Sequence, residues 1–563
     1  MKPVFKSPSG AGKKTSYTRA MEALNPDVSL EEPRLREAAA LVRRGHFESA
    51  ASLAQALLNS EPQNVQALFL KADIARRKGW YRDAEQGFAR CTELASDFEA
   101  ARFHYANILL EVSKAEEALV NADILLERDP ANPVFRALKA MGLELIDRPD
   151  EAAVVWADVA QDSASPECWV RYSHVLRTLG HREKVIEAAR QAIALDPSFG
   201  RAYWALAHVK PFQFSDTEVS QMEAQAARPE LSATNRIPLL FALGKAYADR
   251  KHYEKSFNYY ARGNALRRLQ INLDPGQLTA YVERCRNLFT EGFFRTRAGF
   301  GCKRRDPIFL IGMTRAGSTL VEQILASHSR IEGTRELFEL KAIGNHLQYE
   351  VAPRLQNAYP DVVGTLNAND LEALGERYLE MVRPHRKLNR PFFIDKMGNN
   401  FLRLGLLHLI LPNAKVIDVR RNPLACCFSN FTQLYANGQN DTYRLTDLAS
   451  LYRDYVDLMA HFDRVLPGRV HRVFYEQLVA EPEAEVRRLL AYLELPFEET
   501  CLEFYKNERA VSTISSVQVR TPIYTEALEH WRHYEPWLGP LKAVLGPIAE
   551  AYPDIPSQTK ATK

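Results

Sequence analysis

Residues 307–327 read PIFLIGMTRAGSTLVEQILAS, and this stretch decides the fold of the second half of the chain. The apolar run at 308–311 reads as a buried strand. Residues 312–318 make a short turn containing Gly312 and Gly317, and a helical run follows at 319–327. Strand, glycine turn and helix aim a row of backbone N–H groups and a helix N-terminus at one point, which favours a phosphate or sulfate group. Arg315, Ala316, Gly317, Ser318 and Thr319 form that turn. It is not the loop of nucleoside triphosphatases, which needs G-x-x-x-x-G-K-[ST]. Here Ser318 stands where the Lys belongs, and the basic residue lies inside the loop as Arg315.

Outward from this point the chain alternates short apolar runs with helical ones. Candidate strands are 308–311, 392–395, 415–420 and 470–475; candidate helices are 319–327, 400–411, 423–434 and 482–493. That order predicts a parallel α/β sheet with right-handed crossovers. Such sheets bind ligands at the carboxyl ends of their strands. The loop at 312–318, Lys396 and Arg421 all fall at or just beyond such ends.

The first half repeats itself. Gly45, Gly79, Ser113, Asp147 and Gly180 hold equivalent turn positions, spaced 34, 34, 34 and 33 residues apart. Ala50, Ala84, Ala118 and Ala152 follow five residues later, with Val185 in the last unit, and Pro62, Pro130 and Pro197 close units. This period resembles tetratricopeptide repeats, helix pairs that stack to bury a continuous core. The expected organisation is a tail without fixed structure at 1–32, repeats at 33–212, a helical repeat-like extension and linker at 213–298, and the α/β domain at 299–555. The fold class is therefore α plus α/β: an α-solenoid, then a P-loop-like parallel α/β domain.

Composition narrows the function classes. A net charge of +3 over 563 residues argues against a strongly basic nucleic-acid binder. No apolar run approaches the ~20 residues of a transmembrane helix. The first 20 residues carry charge without an apolar core, so a secretory signal is not expected. The seven cysteines are scattered without C-x-x-C, which reads as reduced, buried thiols in a cytoplasmic protein.

The C-terminal half resembles the sulfotransferases that use PAPS (3′-phosphoadenosine-5′-phosphosulfate), in particular bacterial ones with tetratricopeptide repeats and, more distantly, protein-tyrosine sulfotransferases. The family's turn for the 5′-phosphosulfate, PRSGTTL, is similar to TRAGSTL at 314–320, with Thr314, Ala316 and Ser318 as departures. Its 3′-phosphate signature, an Arg after a strand and a Ser further on, is matched by Arg421 and Ser429, eight residues apart. The resemblance implies PAPS as donor without a metal, Glu336 as general base, and Lys396 at the bridging oxygen between sulfuryl and phosphate. Glu336 lies 21 residues after Arg315, and Glu332 is its rival; Arg335 and Glu339 could equally form a helix-start charge cluster. His328 and Asp395 read as structural, the latter with a site role left open. DKMGNN at 395–400 carries Gly398 where the family often has Pro. A basic C-terminal loop closing on the nucleotide would match Arg520, with Ser515 and Gln518 near it, or would be a plain surface loop.

The function implied is transfer of a sulfuryl group to an acceptor hydroxyl, with a peptide or protein tyrosine presented by the repeat surface among the acceptors. The competing reading is an interaction scaffold whose nucleotide fold has degenerated, supported by Thr314, Ala316 and Gly398. A kinase is weakened by the missing Lys of the loop.

Overall fold

A computed structural model describes residues 16–24, 32–112, 114–436, 438–507, 509, 518–523 and 526–553. The chain divides into two compact units, 1–212 with 224–239 and 213–223 with 240–563.

The first unit is a stack of helix pairs. Successive pairs are Pro33–Arg43 with Phe47–Ser60, Val65–Lys78 with Tyr81–Leu94, Glu99–Glu111 with Ala115–Arg128, Pro133–Leu145 with Pro149–Ser163, and Pro166–Thr178 with Arg182–Leu195. The turn positions read from the period take left-handed backbone, with φ of +82° at Gly45, +79° at Gly79, +59° at Asp147 and +80° at Gly180. Ser113 lies outside the described residues. Ala50, Ala84, Ala118, Ala152 and Val185 are all buried, because a small side chain lets the two helices of a pair approach closely. Asn64 and Asn132 cap the helices that follow Pro62 and Pro130, their side-chain oxygens accepting from Ala67 N at 3.0 Å and Val134 N at 3.1 Å. Phe69, Phe88, Phe103 and Phe135 fill the interior. One expectation changes here. Ser16–Ala23, placed in the unstructured tail, is a helix.

The second unit is built on five parallel strands: β1 (Pro307–Ile311), β2 (Ile331–Gly333), β3 (Phe392–Lys396), β4 (Lys415–Arg420) and β5 (Val470–Phe474), in the order β2-β3-β1-β4-β5. β1 is central and buried along its whole length, which explains its uninterrupted apolar run. Three of the four foreseen helices form close to their expected places, as Ser318–Ala326, Pro423–Phe431 and Pro482–Tyr492. The fourth, expected over 400–411, instead comprises a 3₁₀ stretch at Gly398–Arg403 and a helix at Leu404–Ile410. Much of the 213–298 extension belongs to this sheet unit. Asn264, on helix Tyr253–Arg268, donates to Phe431 O at 2.8 Å, and Thr279, on helix Gly276–Leu288, donates to Asp454 Oδ2 at 2.8 Å. Among the described residues no helix is long and apolar enough to cross a membrane. All seven cysteines are free and buried.

Candidate functional site

β1 delivers the chain into the turn at 312–317, and helix Ser318–Ala326 leaves it. Gly317 caps that helix at φ +102°, and a Cβ there would lie 2.5 Å from the Tyr475 ring. No other residue fits that approach. Arg315 itself has φ +68°, a costly backbone region for a side-chain-bearing residue that persists only where its surroundings hold it. Those surroundings are visible. Asn430 Nδ2 donates to Thr314 O at 2.8 Å, and Asn430 Oδ1 accepts from the Thr314 hydroxyl at 2.6 Å. The Tyr435 hydroxyl donates to the same Oδ1 at 2.6 Å. Ala316 is buried beneath the turn.

Two cations meet at the turn. Arg315 Nε donates to Ser429 Oγ at 3.0 Å, and Arg421 Nη1 donates to Arg315 O at 3.3 Å. Ser429 reaches this point from helix Pro423–Phe431, whose start is fixed by Pro423 and by Asn422 accepting from Leu424 N and Ala425 N. Strand alternation separates the neighbouring arginines. Arg420 is buried on Asp418 at 3.0 Å, while Arg421 faces the site. Burial alone would depress the Arg420 guanidinium, but Asp418 and the flanking tyrosines outweigh it and raise its pKa.

A pocket opens here, lined by Arg315, Gly317, Ser318, Thr319 and Arg421 together with Tyr475, Phe504, Val519 and Ile523. The Arg421 guanidinium carbon lies 4.9 Å from the Tyr475 ring centroid. Burial raises the Tyr475 phenol, so it stays protonated at neutral pH. The donor set suits an anion, with a helix N-terminus, two guanidiniums and two hydroxyls, and the apolar wall suits a base.

Lys396 and Glu336 meet next to the turn. Lys396 ends β3, in register with Leu310 of β1. Glu336 follows β2, which pairs with β3 at Gly333 and Ile394. Lys396 Nζ donates to Glu336 Oε1 at 2.6 Å; the lysine side chain is 5% exposed and the glutamate 50%. The rival Glu332 is committed elsewhere, since its buried carboxylate accepts from Arg386 Nε and Leu388 N, each at 2.7 Å. His328 is structural. Its Nδ1 accepts from Arg330 N at 3.1 Å, so the proton sits on Nε2, which donates to Pro496 O at 3.0 Å. Asp395 bonds to the Tyr378 hydroxyl at 2.7 Å, and burial pushes its carboxyl well above the usual range. Arg335 and Glu339 both contact His385, at 3.3 Å and 2.9 Å.

Arg520 does not line the pocket. Its guanidinium donates to Asn507 O at 2.6 Å and Arg509 O at 2.8 Å, and its neighbours Val519 and Thr521 line the pocket. Ser515 lies outside the described residues. Sequence reasoning missed Tyr475, Phe504 and Arg509. Arg509 donates to Glu322 Oε1 at 2.8 Å and to Thr334 O at 2.6 Å, tying this segment to the helix after the turn and to the strand end before Glu336. The one sequence signal for Tyr475 was its place at the carboxyl end of β5.

Residues 307–499 match the model of the Sulfotransferase family. Residues 166–199 match that of the Tetratricopeptide repeat. An uncharacterised protein of Aquifex aeolicus is 32% identical over 66% of this chain and 49% of its own length. A Drosophila melanogaster protein-tyrosine sulfotransferase is 26% identical over 40% of this chain and 46% of its own. The chain thus spans about half the length of these two relatives. Among solved structures, the sulfotransferase domain of the Synechococcus PCC 7002 olefin synthase aligns over 41% of this chain and 88% of that domain, at 24% identity and a TM-score of 0.31.

Proposed function

We propose that this protein transfers a sulfuryl group from PAPS to an acceptor hydroxyl. The observation that carries the reading is the Arg421–Arg315–Ser429 cluster, whose two arginines line a pocket together with the N-terminal residues of helix Ser318–Ala326. Arg315, Gly317, Ser318 and Thr319 would hold the 5′-phosphosulfate, and Arg421 with Ser429 the 3′-phosphate. Tyr475 and Phe504 would flank the base.

In this reading Glu336 is the general base. Its Oε1 takes the Lys396 bond, and its Oε2 accepts the acceptor's proton. The acceptor oxygen attacks sulfur, the bond from sulfur to the bridging phosphate oxygen breaks, and PAP leaves with the electron pair. Lys396, nearly buried, neutralises charge on the departing oxygen, where preorganised charge is worth a few kcal/mol of barrier. The protein-tyrosine sulfotransferases among its relatives support a peptide or protein tyrosine as acceptor. The departures that suggested a degenerate fold have local roles. Thr314 is held by Asn430, Ala316 packs under the turn, and Gly398 O accepts from Gly312 N at 3.1 Å.

The test is transfer of labelled sulfate from PAPS to a tyrosine peptide and to a simple phenol, without metal. Label on either acceptor that disappears with Glu336→Gln supports the reading. A chain that binds PAP and moves no label to any hydroxyl would support the scaffold instead.

A further inference from the structure

Helix Ser16–Ala23 is an amphipathic segment seated on the repeats. Tyr17, Ala20, Met21 and Leu24 are spaced i, i+3, i+4 and i+7 and pack into the core of the first unit, while Arg19 is exposed. Its partners lie mainly on the first helices of successive pairs. Tyr17 sits beside Glu167, Cys168 and Arg171 of Pro166–Thr178. The helix contacts Pro133–Leu145, and at the far end His104, on Glu99–Glu111, bonds to Leu24 O at 3.3 Å. Ser16 Oγ donates to Asp162 O at 3.3 Å, at the end of Pro149–Ser163. First helices of stacked pairs share one face of a solenoid, and that face is where extended partners dock. The segment is no part of the repeat period, which starts after it, and so is not needed to complete any helix pair.

We propose that this face of the repeats is a groove for an amphipathic helix with an aromatic, a methionine and a leucine at i, i+4 and i+7, and that residues 16–24 occupy it in cis as an intramolecular competitor. A partner protein enters by displacing them. The tethered segment presents itself at an effective concentration of about millimolar, so the groove admits only partners that bind better or are abundant. The proposal stands on the first unit alone and is independent of the chemistry proposed for the second.

The test uses a fluorescein-labelled peptide of residues 13–26 and the full chain. Against a chain carrying Tyr17→Asp, Met21→Asp and Leu24→Asp together, the peptide should bind on the order of tenfold or more tighter than against the unaltered chain. A peptide with the same three changes should bind neither. In the unaltered chain, amides of 16–24 should exchange with solvent at least about tenfold faster than those of Glu99–Glu111, as a segment that lifts off does. Equal peptide affinity for the two chains overturns the proposal. So does loss of a cooperative melt in the substituted chain, or exchange at 16–24 as slow as in Glu99–Glu111, since either would make the segment an ordinary part of the core.

Discussion

Arg315 and Ser429 are 114 residues apart in sequence, and Arg315 Nε donates to Ser429 Oγ at 3.0 Å. The bond joins the turn after β1 to the helix after β4, and these strands are neighbours in the sheet. Arg421 closes the group by donating to the carbonyl of Arg315. The two stretches that separately suggested phosphate binding therefore lie against one another. An anion at either would feel both guanidiniums.

Arg421→Ala should raise the Kd for PAP tenfold to a hundredfold, the cost of losing a charged hydrogen bond of roughly 1.5–3 kcal/mol. The loss for AMP, which lacks the 3′-phosphate, should be clearly smaller than the loss for PAP. Calorimetry with both nucleotides checks this. Equal losses for PAP and AMP would move Arg421 away from the 3′-phosphate.

Glu336→Gln should leave the Kd for PAP within about twofold and lower turnover by a factor on the order of 10² or more, the usual contribution of a positioned base. The half-exposed Glu336 is bonded to Lys396 and does not line the pocket proposed to hold the nucleotide. Loss of PAP binding in this variant would make Glu336 a structural partner of Lys396 and reopen the identity of the base.

The sheet was legible because its central strand is apolar throughout and its loops carry glycine and cations at strand ends. β2 was not, because three residues, Ile331, Glu332 and Gly333, show no period. The helix at 16–23 was hidden by its setting among Lys, Ser, Gly and Pro, although Tyr17, Ala20, Met21 and Leu24 hold a helical stripe. Arg315 and Arg421 were singled out by their places at strand ends, and Ser429 by the resemblance to the family's 3′-phosphate signature. Tyr475, Phe504 and Val519 were not, since apolar side chains that wall a pocket look like any others in sequence. Arg520 was singled out for its charge, yet that charge goes to two backbone carbonyls and its neighbours reach the opening.

His104 gives the repeats a pH dependence. Its ring is enclosed by Phe69, Phe88 and Phe103, with centroids 5.3–5.6 Å away. Burial, with Arg76 nearby, lowers its pKa from 6.5 to about 4. The unfolded chain then binds more protons at this site between these values, so the contribution of His104 to stability is complete above pH 6.5 and falls as pH drops toward 4. His104→Phe keeps the aromatic packing and removes the titration. The slope of unfolding free energy against pH, from urea melts between pH 4 and 6.5, should become shallower by up to about 1.4 kcal/mol per pH unit. An unchanged slope would mean that His104 titrates alike in the folded and unfolded chain.

Gly398 stands where similar sulfotransferases often carry Pro, and restoring a side chain there should do harm. A Cβ at this position would lie 2.6 Å from Gly312 O, a backbone atom of the turn after β1. That turn cannot yield cheaply. Gly312 N already donates to Gly398 O at 3.1 Å, and a Cβ on Gly312 would lie 2.5 Å from Val419 O. Gly398→Ala should therefore destabilise the chain by about 1–3 kcal/mol, the range for forcing atoms into a packed interior. Because the displaced group is the turn itself, the variant should also bind PAP more weakly at temperatures where it remains folded. Gly292→Ala, at a helical glycine whose added Cβ would meet only Thr290 Oγ1 at 3.9 Å, is the control and should leave PAP binding unchanged and the melt unchanged or slightly raised. If Gly398→Ala matched that control in thermal melting and in PAP titration, the close contact between the 398 and 312 backbones would not exist in solution.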